Sequence, residues 1–362
     1  MNFLIVTEPE DMHAIAVSLV LKENEHTVVN LFSGDFPSCQ TNSIFIGSDV
    51  YKVHTEDKFN TFNHHGYDVV WWRRPRHPIL KKDMVHPEDE KFHHRETHVF
   101  FDNFGYQLAP GAWWINRKEA AIRSNHKILQ LKKASDVGLK IPNTLCSNCF
   151  DDVVSFFYHH SQSGIIYKPL TYQVWNEQIG YKVIYTSKID SVDCLNPRST
   201  LLFPGLYQEY IEKKFELRIT CFGDFIIAAK LDSQKHQDGQ QDWRALSVEQ
   251  LDIEPYQLPN GLEQKIRFLM RELGIVFGCI DMIVTPDDDY IFLEVNEQGQ
   301  FLFLEQCCQD LPMLDIFIQF MLQQSIDFHW VKRHHLYRID AYTKQMKQIY
   351  QHNLSHHLSV KS

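Results

Sequence analysis

Two apolar runs in a chain of 362 residues constrain its fold more than any other segment: Phe277-Gly-Cys-Ile-Asp-Met-Ile-Val284 and Tyr290-Ile-Phe-Leu-Glu-Val-Asn296. Both are rich in β-branched and aromatic residues, and Thr285-Pro-Asp-Asp-Asp289 between them is turn chemistry, so the pair predicts a β-hairpin. Side chains alternate across a strand, which sets Glu294 and Asn296 on one face and lets Asp281 of the partner strand join them. A carboxylate inside an apolar strand is costly unless it is paired or metal-bound. Two carboxylates and an amide suit magnesium, which takes oxygen ligands octahedrally and bridges protein carboxylates to substrate phosphates. The plainer alternative is a buried hairpin whose polar groups are satisfied internally. Asp287, Asp288 and Asp289 read as a solvated turn.

At 44% hydrophobic, a chain of this length buries a large core and divides into two or three domains. Its formal net charge of -10 argues against a nonspecific grip on nucleic acid, whose phosphates demand a basic surface. No apolar run approaches the roughly 20 residues that span a bilayer, and Met1-Asn-Phe-Leu-Ile-Val6 lacks a basic flank, so a cytoplasmic location is expected. Cys39, Cys194, Cys221, Cys279 and either of Cys307-Cys308 have no partner at metal-ligand spacing and read as reduced thiols. Cys146-Ser-Asn-Cys149 is a lone CxxC, weak evidence for zinc, with no redox-type helix pattern after it. Histidine doublets such as His64-His65, His93-His94, His159-His160, His334-His335 and His356-His357 make poor chelates because adjacent residues point apart, and they read as surface composition.

Along the chain, residues 2–7, a helical stripe from Met12 to Val20, and Thr27–Phe32 form a β-α-β opening. Asp68–Trp72 and Trp113–Asn116 supply further strands, with a polar helix from Pro87 to Gln107 between them. The glycine-rich dinucleotide fingerprint is absent after the first strand. Arg117 to Val137 reads as one helix closed by Gly138, with Ile141–Thr144 extended after it. Short strands follow at Ile165–Pro169, Val183–Ser187 and Leu206–Ile211; Phe215–Phe222 and Phe225–Lys230 form a hairpin about Gly223-Asp224. A helix carries Leu262, Ile266, Leu269 and Leu273 on one stripe, and another runs from Pro312 to Gln323. Beyond about residue 330, Leu336, Ile339, Tyr342 and Met346 recur at helical spacing in a polar tail expected to cap the domain or contact a partner.

Asn125-His-Lys127, Tyr167-Lys168-Pro169, Gln208-Glu209-Tyr210-Ile211, Glu216-Leu-Arg218, Lys230, Asp242-Trp-Arg244 and Asp281…Glu294-Val-Asn296 occur in that order, and from about Asn125 to Gln323 the chain resembles an ATP-grasp ligase. Any one of these alone is an ordinary surface or salt-bridge element. The resemblance implies an α/β (α+β) ATP-grasp fold: an N-terminal pre-ATP-grasp α/β domain over 1–116, a central lobe over 117–207, a C-terminal lobe over 208–326 with the metal hairpin, and a helical tail over 327–362. ATP is sandwiched between the lobes. Lys127 and Lys168 are then candidate point charges for its phosphates. Gln208, Glu209, Tyr210 and Ile211 form a hinge offering backbone groups to adenine, and Glu216 accepts from the ribose hydroxyls. Arg218, Lys230 and Arg244 are the candidate catalytic cations that cradle the transferred phosphoryl group. Asp281, Glu294 and Asn296 hold Mg2+.

Trp71-Trp-Arg-Arg-Pro75, Asn116 through Gln130, Glu216-Leu-Arg218, Asp242-Trp-Arg244 and Glu294-Val-Asn-Glu-Gln-Gly-Gln-Phe301 extend the likeness to the graspetide (microviridin-type) synthetases and, next, the ribosomal-protein glutamate ligases. Glu297 departs from the pattern, standing where proline is common. This likeness implies an ADP-forming carboxylate–amine/alcohol ligase that closes side-chain esters or amides in a ribosomal precursor peptide through an acyl phosphate, with no covalent enzyme intermediate. The implied partner is a precursor peptide with a leader and an acidic, hydroxyl-rich core; a homodimer is the assembly considered, and neither nucleic acid nor membrane is a partner. Two other readings stand beside it: a ligase appending an amino acid or peptide to a protein or small-molecule carboxylate, and a non-catalytic ATP-binding regulator. Arg73 and Arg74 read either as a solvated strand end or as contacts for an acidic peptide.

Overall fold

A computed structural model describes residues 1–63, 66–81, 84–171, 174–176, 181–183, 186–235, 243, 246 and 250–359. β1 (Asn2–Thr7), α1 (Met12–Glu23) and β2 (Thr27–Phe32) form the expected β-α-β opening, with the Asp11 side chain capping α1 by accepting from the His13 amide. β3 (Gln40–Ile46), β4 (Tyr51–Asp57) and β5 (Thr61–Asn63) make a separate antiparallel sheet. Its strands leave most side chains at least partly exposed, so they carry no apolar alternation by which the sequence could announce them. β6 (Val69–Trp72), α2 (Glu90–Gln107) and β7 (Trp113–Ile115) complete a parallel sheet of order β2-β1-β6-β7. Both faces of that sheet are covered: Leu4, Val6, Val70 and Trp72 pack with Phe101 and Phe104 of α2, while Phe3, Ile5, Val69 and Trp71 enter a larger core.

The stretch expected as one helix is two, α3 (Lys118–Ser124) and α4 (Lys127–Asp136), broken at Asn125-His126. The Asn125 side chain reaches across to Glu297 at 2.7 Å, and the break makes Lys127 the first residue of α4. Gly138 ends this region in the left-handed conformation, φ 79, that a residue without Cβ adopts freely. β8 (Thr144–Ser147), α5 (Phe150–His159), β9 (Ile165–Lys168), β10 (Val174–Asn176), β11 (Tyr181–Val183), β12 (Ser187–Ile189), α6 (Pro197–Leu202) and β13 (Gly205–Glu209) follow. Four of these strands form an antiparallel sheet of order β12-β9-β13-β8, and β10-β11 is a hairpin of its own. The strand expected over Val183–Ser187 is thus divided between β11 and β12, and a helix begins directly after Cys149, where none was expected.

β14 (Phe215–Phe222), β15 (Phe225–Leu231), β16 (Ile253–Tyr256), α7 (Asn260–Leu273), β17 (Phe277–Val284) and β18 (Tyr290–Asn296) build a second antiparallel sheet of order β16-β15-β14-β17-β18. One face, with Leu217, Ile219, Ile280, Met282 and Phe292, packs on Leu131 of α4 and on Ile266, Leu269 and Leu273 of α7. Alternation then sends Glu216, Arg218 and Asp281 to the opposite face. Asp281 pairs with Glu294, but the next pair is Met282 with Phe292, so Leu293 is the extra residue of a β-bulge. That bulge lets Phe292 stay in the core while Glu294 and Asn296 face the site.

α8 (Leu302–Cys307), α9 (Met313–Gln323) and α10 (Ile339–His356) close the molecule. Ile339, Tyr342 and Met346 of α10 are buried in the same core as α1 and α9. Beyond it, Asn353 donates to the Pro9 carbonyl at 3.0 Å and Ser359 to Glu10 at 2.6 Å. The His356-His357 doublet is only half a surface feature: the His357 side chain is 8% exposed and sits 2.6 Å from Asp35. Adjacent residues point apart, and here one of them points inward.

Candidate active site

A cavity of about 370 Å³ opens between the two antiparallel sheets. The central sheet contributes Ile166 and Lys168, on the face of β9 opposite Tyr167, whose ring packs toward Val153 of α5. Facing them are Glu216 of β14, Asp281, Met282 and Ile283 of β17, and Leu293, Glu294 and Asn296 of β18. Gln208, Glu209, Tyr210 and Ile211 line the connection between the lobes, and Lys127 enters from the start of α4.

The structure therefore gathers Lys127, Lys168, Gln208, Glu209, Tyr210, Ile211, Glu216, Asp281, Glu294 and Asn296 around one space. Arg218 lines an adjoining cavity that shares Asp281 and Asn296 with the first. Lys230 is not with them. It stands opposite Leu217 on β15, hence on the sheet face turned from the site, and pairs with Glu254 at 2.7 Å. Asp242 and Arg244 lie outside the described residues.

Asp281 and Glu294 are direct cross-strand partners, a juxtaposition of like charges that is unfavourable unless neutralised. Arg218 Nη1 donates to Asp281 Oδ1 at 2.8 Å, and Lys127 Nζ lies 3.7 Å from Glu294 Oε2. Burial alone would lower the basicity of Arg218, but the adjacent Asp281 carboxylate outweighs it and holds the guanidinium charged. Asn296 follows one pleat along from Glu294 and adds an amide oxygen. Among the described residues no group of three His, Cys, Asp or Glu is set to hold a metal, so this oxygen set is completed by an amide and not by a third acid. Two carboxylates and an amide on one face fit a hard divalent cation such as magnesium.

At the hinge, the Glu209 amide donates to the Asn143 carbonyl at 3.0 Å and the Tyr210 amide to the Gly164 carbonyl at 2.9 Å. The Glu209 carboxylate is held by Asn143 Nδ2 at 2.7 Å, with His160 at 3.3 Å. Among the described residues the Ile211 amide has no hydrogen-bond partner, which leaves it as a donor on the cavity wall. Glu216 accepts from Lys213 Nζ at 3.0 Å and Ser233 Oγ at 2.6 Å. Burial raises its affinity for a proton, and the Lys213 ammonium acts in the other direction.

No family model matches the sequence, and no curated protein matches it. Solved structures do. The macrocyclase MdnC of Microcystis aeruginosa MRC, bound with precursor peptide MdnA, superposes at TM-score 0.77 with 27% identity, covering 89% of this chain and 100% of that one. A Chryseobacterium gregarium RiPP-associated ATP-grasp ligase, in complex with ADP and a leader and core peptide, gives TM-score 0.81 at 24% identity, over 91% of this chain and 99% of that one. The macrocyclase MdnB of Microcystis aeruginosa MRC gives 0.74 at 25% identity, over 89% and 99%. The chain has the fold of the RiPP ATP-grasp ligases.

Several residues outside the expected ligand, hinge and catalytic sets also shape the site. Lys213, 4% exposed in its side chain, neutralises Glu216 on the cavity wall; it lies in the polar run Glu212-Lys213-Lys214, where nothing local marks it. Gln130 of α4 holds β18 by two bonds to Val295, accepting from its amide at 2.9 Å and donating to its carbonyl at 2.8 Å. Asn116 does the same for β17, accepting from the Val276 and Phe277 amides and donating to the carbonyls of Phe277 and Glu297. Arg73 is neither solvated nor open to a peptide. It is fully buried, its Nε donates to Asp11 Oδ2 at 2.9 Å, and its Nη1 holds the carbonyls of Gln298 and Gly299. Burial would push the Asp11 carboxyl up, but the Arg73 guanidinium overrides it and brings the pKa down to about 2.

Proposed function

We propose that this chain is an ATP-dependent ligase that joins side chains of a ribosomal precursor peptide, using Mg2+. The observation that carries the reading is the cross-strand pair Asp281–Glu294, with Asn296 beside it and the cations Arg218 and Lys127 balancing it, on the wall of a cavity between two sheets in a fold shared with MdnC. Asp281, Glu294 and Asn296 would hold magnesium, which supplies charge neutralisation for phosphoryl transfer. Lys127 and Lys168 neutralise the phosphates, the Ile211 amide and its neighbours meet the adenine edge beside Ile166, and Glu216 meets the ribose. Arg218, with Arg244, holds the negative oxygens of the transferred group.

A peptide carboxylate takes the γ-phosphoryl group, giving ADP and an acyl phosphate; a hydroxyl or amine of the same peptide then displaces phosphate to close an ester or amide. Each ring closed removes one water from the peptide. A leader joined to the core keeps the reacting side chains at high effective concentration, and the core is expected to be acidic and hydroxyl-rich. Incubating the protein with ATP, magnesium and a precursor peptide encoded beside it, and following intact mass, should show stepwise loss of water matched by ADP. A mass gain corresponding to an appended amino acid would establish a different ligase, and no ATP-dependent change with any acidic peptide would refute the reading.

A further inference from the structure

The segment 297–302, which leaves the metal hairpin directly after Asn296, takes its shape from outside its own sheet. Arg73 Nη1 donates to the Gln298 and Gly299 carbonyls, and His13 Nε2 accepts from the Phe301 and Leu302 amides at 3.0 and 3.2 Å. Both side chains are set by one short connection, Glu8-Pro9-Glu10-Asp11, between β1 and α1. Asp11 accepts from Arg73 Nε at 2.9 Å and from the His13 amide at 3.0 Å, while Glu8 holds Arg74 and Arg76 just beyond β6.

The two middle residues of that connection are held by the other end of the chain. Asn353 Nδ2 donates to the Pro9 carbonyl at 3.0 Å and Ser359 Oγ to Glu10 Oε1 at 2.6 Å. Between those two bonds, Asp35 accepts from the Leu358 amide at 2.7 Å and lies 2.6 Å from His357 Nδ1, whose ring packs on Phe32. Covering the core does not require this. The apolar residues that α10 packs inward, Ile339, Tyr342, Met346, Ile349 and Tyr350, all precede Asn353. Directional polar bonds beyond the apolar stripe bury little further hydrophobic surface, and what they fix is the place of a loop.

We propose that residues 353–359 form a strap that positions the segment after the metal hairpin by way of the β1–α1 connection, and that Asn353 and Ser359 are positioning residues for phosphoryl transfer. The inference rests on the ligase reading of the cavity and adds to it a device contributed by the far end of the chain. A displacement of about 1 Å at reacting groups costs about a hundredfold in rate, so a loop that follows a metal ligand by one residue gains from support on both sides. Among the described residues the strap makes no hydrogen bond to the hinge or to Glu216, so it acts on the phosphoryl end of the site and spares the base and ribose.

The test compares the full-length wild-type protein with a double variant, Asn353→Ala with Ser359→Ala, by hydrogen–deuterium exchange and by ADP release with the precursor peptide. Exchange of the amides of 299–302 should speed up about fivefold or more in the variant, while α7 exchanges as in wild type. The kcat should fall about tenfold with the KM for ATP within about twofold, and Ser359→Thr, which keeps the hydroxyl, should behave as wild type. Unchanged exchange at 299–302, an equal acceleration in α7, or an unchanged kcat would each overturn the proposal. Should the double variant fail to fold, either single substitution supplies the same comparison. Absence of peptide modification by the wild-type protein removes the ligase reading instead, and the exchange comparison, which needs no peptide, then still decides whether the strap holds the loop.

Discussion

Asp281→Asn and Glu294→Gln each delete one negative charge from the same oxygen set while keeping side-chain shape, yet they should differ in what they do to the fold. Asp281 is 11% exposed and its partner Arg218 5%, at 2.8 Å. Breaking a buried pair of this kind costs about 3–5 kcal/mol because it strands a charge; the asparagine oxygen still accepts a hydrogen bond, which places this change near about 2–3 kcal/mol. Glu294 and Lys127 are 20% and 30% exposed and 3.7 Å apart, so solvent screens them and the loss should stay below about 1 kcal/mol. With roughly 2–4 °C of melting temperature per kcal/mol for a chain of this general size, Asp281→Asn should melt about 4–12 °C below wild type and Glu294→Gln within a few degrees of it. Turnover should nevertheless fall by about a hundredfold or more in both, since each replaces a negative metal oxygen by a neutral amide, a loss worth several kcal/mol in the transition state. Thermal unfolding measured alongside ADP release reads both effects. Equal melting temperatures would refute the assignment of Arg218–Asp281 as the buried pair, and near-wild-type ADP release by either variant would refute the metal set.

His13 is buried, and its Nε2 accepts from the Phe301 and Leu302 amides at 3.0 and 3.2 Å; burial, then Arg73, hold its pKa well below the ordinary value. Above about pH 6.5 neither the folded nor the unfolded imidazole carries a proton, and below it only the unfolded one does, so the stability His13 confers should decline as pH falls through that value, by up to about 1.4 kcal/mol per unit. Unfolding curves at pH 7.5 and 5.5 should show this drop, and His13→Gln should flatten it. Lys230→Ala should leave turnover near wild type, because the ammonium points away from the cavity; a large loss in an ADP-release assay would show that the sheet face has been misassigned.

Much of the site was legible because its chemistry sits in apolar strands, where an acid is conspicuous. The hairpin of β17 and β18 follows from residue type and turn alone, and the sharing of a face by Glu294 and Asn296 follows from period two. What sequence could not show is the bulge at Leu293, since nothing in Tyr290–Asn296 marks which residue is extra. Lys230 was misjudged although the information was present. With Phe222 opposite Phe225 across the two-residue turn, counting back sets Arg218 opposite Ala229, so position 230 must face the other way. The break at Asn125-His126 depends on a partner, Glu297, that is distant in sequence, and so does the burial of His357 against Asp35. Such long-range pairings leave no local signature.

The packing of α10 onto α1 has a consequence for the order of assembly during synthesis. Ala14, Ile15, Val17 and Leu21 of the first helix share a core with Ile339, Tyr342 and Met346 of the last, and Asn353 and Ser359 bond to Pro9 and Glu10. The nascent β-α-β unit therefore carries one apolar side without its native cover until more than three hundred further residues have been added. A ribosome-stalled chain ending before residue 339 should expose that side to chaperones or to proteolysis, and release of the full tail should withdraw it.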